Sequence, residues 1–222
     1  MNKLQVIQNT ALRCATGHTK DTNIQHLHQE TKVLPIETHT KMITSQYRES
    51  MRDVEHPLHE TLSLPDPDRE MKLTAVSTKY SIIVHGCDRE NKTEDDIQRN
   101  KKIIHTQFVK QTLSERPINT LINRQAPDVN PTEQQLTRAM RRTLAQLRAQ
   151  KSPLLRSYLN NIGAADDPSC PLCLLAEHNT YHLFNCPQQP TEHTPEALWQ
   201  QPLQAAELVK RWEEALTEVD DV

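Results

Sequence analysis

Glycine is nearly missing from this chain, occurring three times in 222 residues, where about 7% is usual. Phosphate-cradling loops, nucleophile elbows and dinucleotide fingerprints each need several glycines at fixed offsets, because their backbones turn sharply or press against a ligand. None of them can be built here, and a small-molecule substrate is not expected. Apolar residues are also short: 35% of the chain is hydrophobic and 4% aromatic, against about 45–50% apolar in a typical globular protein. Two small cores joined by polar segments fit this supply better than one large core. No apolar run approaches the roughly 18–20 residues that cross a bilayer, and the N-terminus has no continuous apolar stretch of the secretory kind. The expectation is an intracellular protein, cytoplasmic or nuclear, with no membrane partner.

Net charge is close to balanced at −3, but the charges are not evenly placed. From Gln134 to Ala165 there is no acidic residue, while Arg138, Arg141, Arg142, Arg148, Lys151 and Arg156 are all present; the C-terminal stretch ends in Glu213, Glu214, Glu218, Asp220 and Asp221. Five cysteines are an odd number, and three of them fall between residues 170 and 186, with Cys14 and Cys87 standing alone. That layout suits a metal site in a reducing compartment better than a disulfide framework.

The periodicity is helical almost throughout. Leu4, Ile7, Ala11 and Ala15 share one face of a first helix that Gly17 closes. This apolar face starts almost at Met1 and suits partners outside the chain. Asp21 can cap a short helix containing Ile24 and Leu27, and Pro35 opens a longer one with the stripe Ile36, Ile43, Tyr47 and Met51. From 57 to 92 three residue-proline steps break the pattern, which predicts a linker, with one short strand over Tyr80 to Val84. Thr93 and Asp96 form a capping box before Ile97, Ile104 and Phe108.

Asn130, Pro131 and Glu133 then predict the start of a helix over 131–149 carrying Leu136, Met140, Leu144 and Leu147. At about 100° per residue, Arg138, Arg141, Arg142 and Arg148 fall on its opposite face. Ser152 and Pro153 open an antiparallel partner with Leu155, Tyr158, Leu159 and Ile162 inward, and a last helix follows from Pro202, anchored by Trp199. The predicted fold is mainly α: a helical segment over 1–56, a linker over 57–92, and a helical C-terminal domain over 93–222 with a zinc module at about 168–190.

That module rests on Cys170-x2-Cys173-x8-His182-x3-Cys186. Two cysteines separated by two residues chelate one ion from a tight turn, and a helix capped by Thr180 puts His182 and Cys186 four apart on one face. The result is a closed Cys3His site for Zn, with no open position for a catalytic water and hence a structural role. Leu172, Leu174, Leu183 and Phe184 supply its apolar shell. Ordinary buried or surface cysteines, a thioredoxin-like redox pair, and His178 as an alternative ligand are the competing readings. The other histidines, including His26 and His28 around Leu27, are expected at the surface or as caps.

The outward arginines, with Arg156, can contact phosphates of RNA or DNA weakly and without sequence preference, or they are simply a solvated face. Aromatic residues that stack on single-stranded bases are too few to read sequence.

Several separated stretches resemble one family. They are Leu4-Gln5-Val6-Ile7-Gln8-Asn9-Thr10-Ala11-Leu12-Arg13 with Ala15-Thr16-Gly17, then His26-Leu27-His28-Gln29-Glu30-Thr31-Lys32-Val33-Leu34-Pro35, Ile104-His105-Thr106-Gln107-Phe108-Val109, and Arg142-Thr143-Leu144-Ala145-Gln146-Leu147-Arg148. With Cys170-Pro171, Cys173, His182-Leu183-Phe184-Asn185-Cys186-Pro187 and Leu198-Trp199, they resemble, in the family's order, the region after the polymerase core in Jockey-like non-LTR retrotransposon reverse transcriptases. The resemblance implies the C-terminal part of an RNA-directed DNA polymerase, ending in a zinc module that handles nucleic acid and able to associate with a polymerase core. Such polymerases hold two metal ions with paired aspartates in an aromatic-x-Asp-Asp turn. Here Asp95-Asp96, Asp166-Asp167 and Asp220-Asp221 all lack the aromatic residue, and Ala149-Gln150 stands where relatives often have Ser-Gly. The expectation is therefore a non-catalytic fragment. A zinc-stapled protein-interaction module, or a decayed copy without a selected role, are the alternatives.

Overall fold

The structure, a computed structural model of the 222-residue chain, describes residues 2–53, 55–58, 93–114 and 118–220. It is mainly helical, with no strand among the described residues. The helices are α1 (Asn2–Thr16), α2 (Ile24–Thr31), α3 (Ile36–Ser50), α4 (Glu94–Ser114), a 3₁₀ helix (Pro131–Gln135), α5 (Arg138–Arg148), α6 (Arg156–Asn161), α7 (Thr180–Leu183), α8 (Ala197–Gln200) and α9 (Pro202–Asp220). No helix among the described residues is long and apolar enough to cross a membrane. The expected strand over Tyr80 to Val84 lies outside the described residues.

The chain divides into two compact units, one of residues 1–5 with 33–115 and one of residues 6–32 with 116–222. This differs from the expected boundaries, because helices on either side of 57–92 belong to one unit. In that first unit α3 packs along α4 around Leu34, Met42, Ile104 and Phe108. So small a core needs polar help: Asn100 Nδ2 donates to the buried Glu49 Oε1 at 2.7 Å, and Gln46 Nε2 donates to the Lys101 carbonyl at 3.0 Å. These bonds select the face that α3 buries, so Met42, Ser45 and Glu49 point inward while Ile43 and Tyr47, expected inside, are half exposed. The Thr93 and Asp96 capping box forms as expected, with reciprocal bonds at 3.3 and 3.2 Å.

The second unit carries the larger core, in which Leu144 and Leu147 of α5, Leu198 and Trp199 of α8, and Ala205, Leu208, Val209 and Trp212 of α9 meet Leu155, Tyr158, Leu183 and Phe184. Three expectations are corrected here. Asn130 does cap a helix, accepting from Thr132 N–H at 3.0 Å, but that helix is a short 3₁₀ piece which Leu136 ends in extended backbone. A second start follows, where the Thr137 side chain accepts from Met140 N–H and α5 begins at Arg138. The hydroxyl of Thr137 competes for the helical bonds and resets the chain there. The partner helix begins only at Arg156, and Ile162, beyond its end, is exposed rather than inward. The histidines are not all peripheral: His18 and His28 are buried, the latter 3.1 Å from Asn9 Oδ1.

His18 lies edge-on to His26, with its Nδ1 2.7 Å from Thr16 Oγ1. Burial, opposed by Glu30 and reinforced by His26 and Arg148, pushes its pKa down to about 4. The unfolded chain, with a pKa of about 6.5, binds this proton more tightly than the fold does. Stability is therefore complete above about pH 6.5 and falls with pH until about 4. Chemical denaturation at the two ends of that window should show the wild type losing about 3 kcal/mol more than His18→Asn; equal losses would mean that His18 is not buried neutral.

Candidate metal centre

The turn after Pro168 is built by backbone bonds before any metal is considered. His178 N–H donates to the Pro168 carbonyl at 2.8 Å, Cys170 N–H to Ala176 at 2.8 Å, and Leu174 N–H to Cys170 at 2.9 Å, with an antiparallel bridge between Ser169 and Glu177. This knuckle presents Cys170 and Cys173 side by side. Asn179, not Thr180, caps the short α7 that follows, its side chain accepting from His182 N–H at 2.9 Å. Thr180 is buried and donates to the Leu147 carbonyl at 3.0 Å, which ties the knuckle to α5. Cys186 does not share a helical face with His182, since α7 ends at Leu183 and a turn carries Cys186 back.

Cys170 Sγ, Cys173 Sγ, His182 Nε2 and Cys186 Sγ all lie within 4.8 Å of one another and could hold a metal ion. Cys170 Sγ is 4.0 Å from Cys186 Sγ, and Cys173 Sγ is 3.3 Å from His182 Nε2. Tetrahedral coordination with metal–sulfur bonds of about 2.3 Å and metal–nitrogen bonds of about 2.0 Å needs separations near 3.5–3.8 Å, and the 3.3 and 4.0 Å distances fall on either side of that range. The Leu175 N–H donates to Cys173 Sγ at 3.5 Å and holds that thiol below its ordinary pKa. Burial instead pushes the Cys170 thiol up to about 11, so its ionisation at neutral pH requires a cation beside it. Burial lowers the pKa of His182, favouring the neutral imidazole that can ligate.

His178, the alternative ligand, is not in this group. It is fully buried, packs against Trp212 with ring centroids 5.0 Å apart, and its Nδ1 accepts from Arg156 N–H at 3.3 Å. Trp212 Nε1 in turn donates to the Leu183 carbonyl at 3.1 Å. Cys170 and Cys186 belong to the hydrophobic core itself, together with Leu183 and Phe184, and Leu172 packs against it. Leu174 does not, being 74% exposed with φ +55°. That left-handed conformation normally favours glycine, which this chain scarcely has.

The arginines fall into two sets. Arg138, Arg141 and Arg142 are exposed on the first turns of α5. Arg148 is 1% exposed and forms ion pairs with Glu30 and Glu133, while its Nε donates to the Leu198 carbonyl at 2.8 Å and its guanidinium lies 5.9 Å from the Trp199 ring centroid. Burial works against its charge, but the two carboxylates more than offset this and raise its pKa. The expected phosphate contact at Arg148 is thus corrected. It stands only about 40° from Leu144 around the helix, and the C-terminal half of α5 is buried on every side from Leu144 to Arg148. Arg156, half buried on α6, is not on the same helix as the exposed set. The partners escaped sequence reading because Glu30 is a single acid 118 residues from Arg148, and Glu133 read as a helix-start residue.

Comparisons of the chain with protein-family models, with curated proteins and with solved structures find no match.

Proposed function

We propose that the chain is a zinc-stapled, non-catalytic helical module that binds nucleic acid through backbone phosphates, and that it corresponds to the C-terminal part of a non-LTR retrotransposon reverse transcriptase. The observation carrying this reading is the convergence of Cys170, Cys173, His182 and Cys186. Three sulfurs and one imidazole form a soft donor set suited to zinc, and four protein ligands leave no position for a reacting water. The structural role follows from where the ligands sit, since two of them are core residues of the second unit.

Nucleic-acid contact is supported by Arg138, Arg141 and Arg142, whose guanidinium groups have no ion-pair or hydrogen-bond partner among the described residues. The link to the retrotransposon family rests on the sequence stretches named above. A titration of single- and double-stranded oligonucleotides at increasing salt tests the binding. A linear fall of log K against log salt is expected, and a flat response removes nucleic-acid binding from the proposal.

A protein-interaction module is the second reading, and α1 favours it. Leu4 and Ile7 are 57% and 64% exposed, and Ala11 and Ala15 are exposed on the same stripe. Charge reversal at Arg141 and Arg142 separates the two, because only the first reading requires retention on nucleic acid to be lost.

A further inference from the structure

The second unit contains a cleft of about 680 Å3 between the end of α1, the end of α2, the 3₁₀ helix and the first turns of α5. Arg138, Arg141 and Arg142 all line it, and among the described residues none of them has a carboxylate partner. Its acidic lining residues, Glu30 and Glu133, are both committed to Arg148. The cleft therefore has three free guanidiniums and no free carboxylate. Its arginines also stand in the first turns of a helix that has no acid there, where the helix dipole opposes cations and welcomes anions. Positive charge gathered at the wrong end of a helix and left unneutralised inside a concavity is a binding arrangement for an anion.

The placement is built rather than incidental. Gly17 closes α1 with φ +76°, and a Cβ there would run into Cγ and Cδ of Arg142. The missing side chain lets the Arg142 stem lie against the backbone, and Gln146 Nε2, one turn on, donates to the Gly17 carbonyl at 2.8 Å. A guanidinium matches two oxygens of a phosphate at once, and a cleft of this volume is of the size that encloses nucleotide-sized ligands.

We infer that this cleft is the phosphate-binding site of the protein and that it holds backbone phosphates of a nucleic-acid strand on Arg138, Arg141 and Arg142. The inference rests on the nucleic-acid reading above and adds the place. Cys14 provides an independent reporter, because it is an exposed free thiol that also lines the cleft. In the zinc-loaded 222-residue chain, alkylation of Cys14 is followed by peptide mass mapping with and without a saturating 12-nucleotide strand. The strand should slow the modification several-fold. Replacing Arg138, Arg141 and Arg142 together by Gln should lower the salt slope of binding by about two to three, roughly one per lost contact, with melting temperature and zinc content unchanged. A strand that binds with Cys14 as reactive as before places the phosphates elsewhere and overturns the cleft, leaving the nucleic-acid reading intact. Absence of any strand binding by the wild type ends both. Protection by inorganic phosphate but not by the strand also overturns the assignment, since the anion would then be free phosphate.

Discussion

Zinc removal is expected to dismantle the second unit, not merely to empty a site on its surface. Cys170 and Cys186 are buried in the same cluster as Leu144, Leu147, Leu183, Trp199 and Trp212. Without a metal, their side chains leave close-packed sulfurs that gain little from one another. Structural zinc contributes on the order of 10–16 kcal/mol of apparent binding free energy in small modules, more than the roughly 5–15 kcal/mol by which whole domains are stable. Chelator added to the purified protein, or the substitution Cys186→Ser, should therefore abolish the cooperative thermal transition of residues 116–220 and lower the helical circular dichroism. His182→Cys is the control, since four thiolates also close around zinc and this variant should keep both metal and transition. A protein that contains no stoichiometric metal and melts identically in chelator would refute the site.

Arg148→Ala should be the most damaging single change away from the four candidate metal ligands. The guanidinium neutralises Glu30 and Glu133 and donates to the Leu198 carbonyl beneath Trp199. Truncation leaves two shielded carboxylates facing each other and a carbonyl without its donor. Breaking a buried ion pair in this one-sided way costs about 3–5 kcal/mol, which urea denaturation would measure directly. Replacing all three together, as Arg148→Met with Glu30→Gln and Glu133→Gln, should recover most of that loss, because no uncompensated charge remains. If the triple variant is as unstable as Arg148→Ala, the network matters through its shape and not its charge.

The clustering of the four candidate ligands could be read from the sequence because chelation restricts spacing so tightly. Two cysteines three apart, then a histidine and a cysteine four apart, leave few other geometries, and the structure brings those four residues together. The way they are carried was less legible. A cap shifted by one residue, from Thr180 to Asn179, and a helix ending at Leu183 lie within the ordinary uncertainty of helix ends. Arg148 was misplaced because a helical wheel assumes one exposed face, whereas α5 starts at the surface and finishes inside. His178 has the composition of a ligand, but its position is set by Trp212, which lies 34 residues further on and gives no local signal. The grouping of α3 with α4 was hidden for a similar reason, since the Glu49 and Asn100 pair that orients them is separated by 51 residues.

The ion pair between Glu30 and Arg148 joins positions 118 apart, and this has a consequence for the order of assembly. During synthesis α2 emerges long before the arginine that completes its surroundings, and the turn bearing Cys170 and Cys173 appears later still. Contacts of such long range form slowly. Ribosome-bound chains truncated before residue 148 should therefore leave the segment from Val6 to Lys32 open to proteases, and it should become resistant only once the cysteine-bearing turn has cleared the exit tunnel.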